Sequence, residues 1–211
     1  MRYSYDPPGI IKYFFNDFIW TTRNNKILLT FDDGPLAETT PMILRTLEEL
    51  KIKAVFFCVG DNVEKNSDLV SAIIKEGHQV GCHMLRHEVI TKLKNEEVKN
   101  QVNSFELMLK EKHNYDVKYF RPPHGRFDLK TKGLLAEMKM KNIMWSLLTY
   151  DYKNDINLVK FAVSKYLRNN SIIVLHDSLK SKSVVVDSIK YIAEEAQKKG
   201  FDIGEPQECL K

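Results

Sequence analysis

Cysteine is scarce in this chain, and its placement does not suggest a crosslinked scaffold. Cys58, Cys82 and Cys209 make an odd count with no CxxC pair, which argues against a disulfide framework. Charge of one sign is never gathered into a block. The formal net charge is +4 and the basic residues are dispersed, so no nucleic-acid partner is expected. No apolar run reaches the length of a membrane span: the stretch "GIIKYFFNDFIW" is interrupted by Lys12, Asn16 and Asp17. No small-residue cleavage site follows it, so it does not read as a secretory signal. A cytoplasmic location is the default expectation, with the cell envelope as the alternative. Linkers, low-complexity tracts and repeats are missing too, which points to one domain.

What is present is an ordinary globular composition in 211 residues, 43% hydrophobic and 28% charged. Ile11, Phe14, Phe15, Phe18 and Ile19 fall at helical spacing. Residues 1–25 are therefore expected to form an apolar helical segment packed on the domain, with peripheral membrane contact as its other use. From Lys26 onward apolar runs alternate with helical patterns. Lys26–Phe31, Ala54–Val59, Gln79–Cys82, Lys118–Arg121, Ile143–Leu148 and Ser171–Leu175 read as strands, and Phe201–Ile203 as a closing one. Thr40-Pro41 and Ser67 read as helix starts. About seven strands alternating with helices predict parallel βαβ units in a single α/β domain.

The polar residues then acquire positions. The run "LLTFDDGP" ends a buried strand in two adjacent carboxylates, Asp32 and Asp33, which repel one another and, if buried, would call for a cation nearby. Taken alone they would be an ordinary solvated turn. However, His83 and His87 follow the third strand, Arg121 the fourth, Asp151 the fifth, and His176-Asp177 ends the sixth. In a parallel α/β fold these strand ends share one mouth. In "HMLRH" the two histidines are four apart, so a helical turn would aim both imidazoles the same way. Two imidazoles and a carboxylate suit a catalytic divalent metal. His78 and His113 lack such company and read as packing or surface histidines.

These motifs resemble those of the polysaccharide deacetylase family (carbohydrate esterase family four, the chitooligosaccharide-deacetylase-like domain). "TFDDGP" matches its first motif, His83 with His87 its histidine pair, and "FRPPHG" its arginine–proline motif. "YDY" falls where the aspartate–tryptophan motif belongs, and "IIVLHD" resembles the final histidine motif. The resemblance runs from about Lys26 to Phe201 and implies that residues 26–211 form a distorted (β/α)7 barrel acting as the catalytic domain. It implies one divalent ion, zinc by preference with cobalt, nickel or iron as substitutes, held by Asp33, His83 and His87. It further implies Asp32 as general base and His176 as the acid that protonates the leaving amine. Arg121 and Asp151 would tune that pair, the backbone N–H of His124 would stabilise the oxyanion, and Tyr152 and Val174 would contact substrate.

Some positions depart from the family pattern. Met84 stands between the metal histidines where Ser or Thr is usual, and His124 stands where Tyr is common. Tyr152 replaces the groove tryptophan, Val174 a leucine of the methyl pocket, and Leu148 an additional aspartate of many members. No metal ligand, base or acid is lost. The expected partner is an acetylated glycan such as peptidoglycan or a chitin-like oligosaccharide; the oligomeric state is left open. Hydrolysis of another amide or an acetyl ester, and a silent sugar-binding module, are the alternatives to N-deacetylation.

Overall fold

The computed structural model describes residues 4–211. Seven strands form one parallel sheet: β1 (Leu28–Asp32), β2 (Val55–Cys58), β3 (Gln79–Cys82), β4 (Tyr119–Phe120), β5 (Lys141–Asn142), β6 (Leu147–Leu148) and β7 (Ile172–His176). Their spatial order is β5-β4-β3-β2-β1-β7-β6. The helices are α1 (Gly9–Phe14), α2 (Thr40–Glu49), α3 (Gly60–Lys65), α4 (Ser67–Lys75), α5 (Asn95–His113), α6 (Leu129–Glu137), α7 (Ile156–Tyr166), α8 (Val185–Lys198) and α9 (Pro206–Cys209). Parallel neighbours require crossovers, which the larger helices supply on the outer face. The sheet curls into the expected distorted (β/α)7 barrel.

Strand alternation decides what lies inside. In β1, Leu29 and Phe31 join the outer core beneath the helices with Phe56 and Cys58 of β2. Leu28 joins Val55, Phe57, Tyr119, Ile143 and Ile172 in a smaller inner cluster. By the same period of two, Thr30 and Asp32 follow Leu28 on the inner side. One face of one strand thus runs from apolar at the bottom to charged at the mouth. Among the described residues no pairing joins β5 to β6. Beside that gap, Ile19 pairs with Ile143 and Thr21 with Ser171, so the segment before β1 spans it.

Several boundaries differ from the sequence reading. Of the strand expected over Ile143–Leu148 only Leu147–Leu148 forms one, β6; β5 lies before it at Lys141–Asn142, and Ile143 contributes a single bridge to Ile19. Phe201–Ile203 contributes one bridge, Ile27 to Ile203, rather than a strand. Thr39, not Thr40, occupies the N-cap of α2, and Ser67 is the first residue of α4 after Asn66. The helix expected to present Ile11 through Ile19 stops at Phe14, because Phe15 leaves helical geometry at φ −117° and ψ 51°. Tyr13 and Phe14 of α1 are exposed, whereas Phe15 and Phe18 beyond it pack on Trp20, Phe127 and Met144. Among the described residues no helix is long and apolar enough to cross a membrane.

Candidate active site

All strands point their C-terminal ends at one mouth, and a cleft of about 270 Å³ opens there. Asp32, Asp33, His83, His87, His124, Tyr152, Val174 and His176 line it, together with Trp145, Leu148 and Lys180. Arg121 and Asp151 stand behind the lining, both fully buried. Every site residue singled out from the sequence is therefore in, or directly behind, this cleft.

The metal-ligand candidates come from loops just past β1 and β3. Asp33, His83 and His87 each offer a ligand atom within 4.8 Å of the others. The Asp33 carboxylate lies 3.1 Å from His87 Nε2 and 3.8 Å from His83 Nε2. His83 and His87 do not share a helical turn. The stretch between them is a bend with positive φ at Met84 (65°) and His87 (53°), and it is this bend that brings the imidazoles together. His83 Nδ1 lies 2.7 Å from the Arg121 carbonyl, which can only accept, so Nδ1 carries the proton and Nε2 keeps its lone pair. Burial pushes His83 down to about 4, so the ring is neutral near pH 7, as a ligand must be. Burial opposes ionisation of Asp33, but the His87 hydrogen bond and neighbouring imidazoles outweigh it and hold the carboxyl well below the usual range. One carboxylate with two neutral-capable imidazoles fits a divalent cation.

The acid–base candidates sit on the barrel itself. Asp32 and His176 are paired in register across β1 and β7. Arg121 Nη1 donates to Asp32 Oδ1 at 2.7 Å and to the Thr30 hydroxyl at 2.7 Å. Its Nε and Nη2 donate to the carbonyls of Ile143 and Met144, and its guanidinium lies 4.1 Å from the centre of the Phe57 ring. A buried ion pair recovers its desolvation cost only with such complete bonding. Asp151 Oδ1 lies 2.7 Å from His176 Nδ1, and Oδ2 accepts from the His176 backbone N–H at 2.7 Å. Burial alone would depress His176; the Asp151 charge and hydrogen bond reverse this and raise it to about 9.

Among these groups Trp145, Leu148, Tyr152 and Val174 add apolar surface to the walls. The Tyr152 ring meets His176 edge-on at 4.8 Å, and His124 packs against His87 at 4.5 Å. Phe127 lies away from the cleft, against Phe15, Phe18 and Trp20. His78 is buried and accepts from the Ala54 N–H, while His113 bonds Ser67 and Ser71, so both serve packing. The sequence reading missed Thr30, Trp145, Lys180 and Asn62, whose side-chain amide donates to the Asp33 carbonyl at 2.8 Å. Alternation along β1 was the available signal for Thr30, two residues before Asp32. The bend that turns Trp145 inward left no comparable trace.

The chain is 34% identical to the peptidoglycan-N-acetylglucosamine deacetylase PgdA of Listeria monocytogenes over 166 residues. That match covers 78% of this chain and 35% of the relative, so the chain spans about a third of that protein's length. A peptidoglycan-N-acetylglucosamine deacetylase of Bacillus cereus is 29% identical, with 100% of this chain and 98% of the relative covered. In three dimensions the fold matches the crystal structure of a peptidoglycan N-acetylglucosamine deacetylase with a TM-score of 0.88, at 27% identity over 96% of both chains. The sequence model described as Polysaccharide deacetylase matches residues 20–143, more than half of the chain. With that match, the five motifs and the barrel in agreement, the chain belongs to the polysaccharide deacetylase family.

Proposed function

We propose that this protein is a metal-dependent carbohydrate deacetylase that hydrolyses N-acetyl groups of N-acetylglucosamine-containing glycans, peptidoglycan or chitin-like. The carrying observation is that an Asp–His–His donor set shares one cleft with two separately anchored acid–base groups. The names of its relatives supply the substrate class. Asp33, His83 and His87 would hold one divalent ion, with zinc best suited to the nitrogen and oxygen donors. When bound, such an ion lowers the pKa of water toward neutrality and polarises the acetyl carbonyl.

The chain's own groups perform the rest. Asp32, fixed by Arg121, takes a proton from the attacking water as its oxygen adds to the acetyl carbon. The His124 backbone N–H donates to the carbonyl oxygen as that oxygen gains charge. His176, kept protonated by Asp151, gives its Nε2 proton to the sugar nitrogen as the C–N bond breaks, releasing acetate and a free amine. Val174, Leu148 and Trp145 offer the acetyl methyl an apolar wall. Tyr152 offers a flat face to a sugar ring.

The test is acetate release by zinc-loaded protein from chitin oligosaccharides and peptidoglycan glycan fragments, with acetyl esters in parallel. Release from the N-acetyl substrates, abolished by chelation and restored by zinc or cobalt, is expected. Release from esters alone would transfer the assignment to esterase chemistry. No release from any of them at full zinc occupancy would leave a sugar-binding module.

A further inference from the structure

A third carboxylate stands behind the turn that carries Asp32 and Asp33. Asp177, the residue after β7, is 1% exposed and forms no ion pair with a lysine or arginine among the described residues. Both its oxygens are used at the start of α2: Oδ1 accepts from the Thr39 hydroxyl, and Oδ2 from the Thr40 hydroxyl at 2.6 Å. Thr40 Oγ1 in turn accepts the Leu36 N–H at 2.7 Å. The backbone N–H of Asp177 donates to the Asp32 carbonyl at 2.8 Å. Between these points Gly34 lies so close that a Cβ there would fall on the Asp177 carboxylate. One residue therefore grips both ends of the Asp32–Thr40 loop and supports its middle. Asn62 and Asn66 hold the same loop from its other side, through the carbonyls of Asp33 and Pro35. Asp33 itself has φ 81°, a conformation that a non-glycine residue keeps only when its surroundings enforce it.

Joining β7 to α2 would not by itself call for a carboxylate, since burying one beside other carboxylates is unfavourable. Of Asp32, Asp33 and Asp177, only Asp32 is ion-paired to an arginine or lysine among the described residues, through the Arg121 guanidinium. A divalent ion at Asp33, His83 and His87 would supply the positive charge that neither Asp33 nor Asp177 receives from an arginine or lysine. We propose that Asp177 is a positioning residue for the metal side of the cleft: it locks the Asp32–Thr40 loop so that the Asp33 carboxylate is presented to His83 and His87, and it adds negative charge that favours a divalent ion there. Only the activity arm of its test rests on the deacetylase reading, because zinc affinity is measured without substrate.

The test compares Asp177→Asn with two threonine pairs, Thr39→Val/Thr40→Val and Thr39→Ser/Thr40→Ser. The readouts are zinc affinity by competition with a chelating indicator, then kcat and KM at saturating zinc. Asp177→Asn should weaken zinc binding by about 10- to 100-fold and lower kcat with KM little changed, as loss of a supporting contact behind metal ligands does. The valine pair, equal in shape but without hydroxyls, should move in the same direction, and the serine pair should retain wild-type zinc affinity. A folded Asp177→Asn protein with lowered Tm but wild-type zinc affinity and kcat would overturn the proposal, leaving Asp177 as a strand-to-helix tie. If Asp177→Asn does not fold, the threonine pairs decide: equal zinc affinity in the valine and serine pairs overturns it. If wild type releases no acetate while the zinc series still separates, the deacetylase reading fails and this one stands.

Discussion

The two sides of the cleft are held by different means. The acid–base side is built into the barrel: Asp32 and His176 are strand residues in register, each backed by a fully buried partner of opposite charge. The metal side is built on loops beyond the strand ends. Asp33, Met84, His87 and His124 all take positive φ there, and the Asp33 and His87 side chains are 29% and 30% exposed. Each such non-glycine residue costs of order 1 kcal/mol or more, which the surrounding contacts must offset. A barrel can preorganise two groups by register and buried partners, whereas the Asp33–His83–His87 set, carried on two loops, depends on support from behind.

The largest effect should come from setting the sides against each other at adjacent residues. On the roles proposed above, Asp32→Asn removes the base while keeping the ligand Asp33, so the rate should fall by roughly 10²–10⁴-fold with zinc content unchanged. Asp33→Asn should lose zinc first and activity as a consequence. Metal analysis alongside initial rates separates the two. An emptied site in Asp32→Asn and a filled one in Asp33→Asn would exchange the roles.

Next in size is the anchor of the acid–base side. Arg121→Met leaves Asp32 buried without its counter-charge and strips donors from Thr30, Ile143 and Met144. A loss of about 3–5 kcal/mol in unfolding free energy is expected, measured by denaturant titration. Removing His87, on a half-buried loop, should cost far less. Similar losses from both would erase the distinction between a framework side and a loop side.

Much of this was legible in the sequence, and the exceptions have physical reasons. The parallel α/β rhythm emerged because buried strands and amphipathic helices differ in period. The site emerged because Asp32, His83, Arg121 and His176 each follow an apolar run directly. His83 and His87 were paired correctly for an incorrect reason, since a bend with positive φ imitates the convergence of a helical turn. The stretch Ile143–Leu148 looked continuous because β propensity does not register a bend, and that bend is what lets Trp145 reach the cleft and lie over Gly125. The support given by Thr30, Asn62 and Asp177 was hidden for another reason. Their side-chain bonds join residues far apart in the chain, and no local pattern encodes such pairing.

A smaller effect should appear in the pH dependence of the acid–base side. His176 is raised from 6.5 to about 9 with Asp151 beside it, so it stays protonated through neutral pH. Because the folded pKa is the higher one, its stabilising contribution is complete below about 6.5 and is lost as pH rises through about 9. Asp151→Asn removes the charge that raises it. The alkaline limb of kcat/KM should move down by about 1–3 pH units, and the fall in stability over that window should flatten. An unmoved limb would assign it to a group other than His176.

The smallest effect concerns the wall between the two sides and the substrate chain. Tyr152 lies edge-on to His176 at 4.8 Å and lines the cleft, where a broad apolar face can lie along a sugar ring. Its loss removes neither a ligand nor a proton-transfer group. Losing one aromatic contact of about 0.5–1.5 kcal/mol corresponds to a change of roughly two- to tenfold in apparent affinity. Tyr152→Ala should therefore raise KM for an acetylated oligosaccharide by that amount while leaving a small acetylated reporter ester almost unaffected, and kcat should change little on either. Measuring both substrates with one enzyme preparation cancels errors in zinc loading. An equal loss on both would mean that Tyr152 acts through His176, bracing the imidazole it touches. The aromatic wall would then belong to the rigid acid–base side, and the chain-binding surface would have to be sought among the loops of the metal side, around His124.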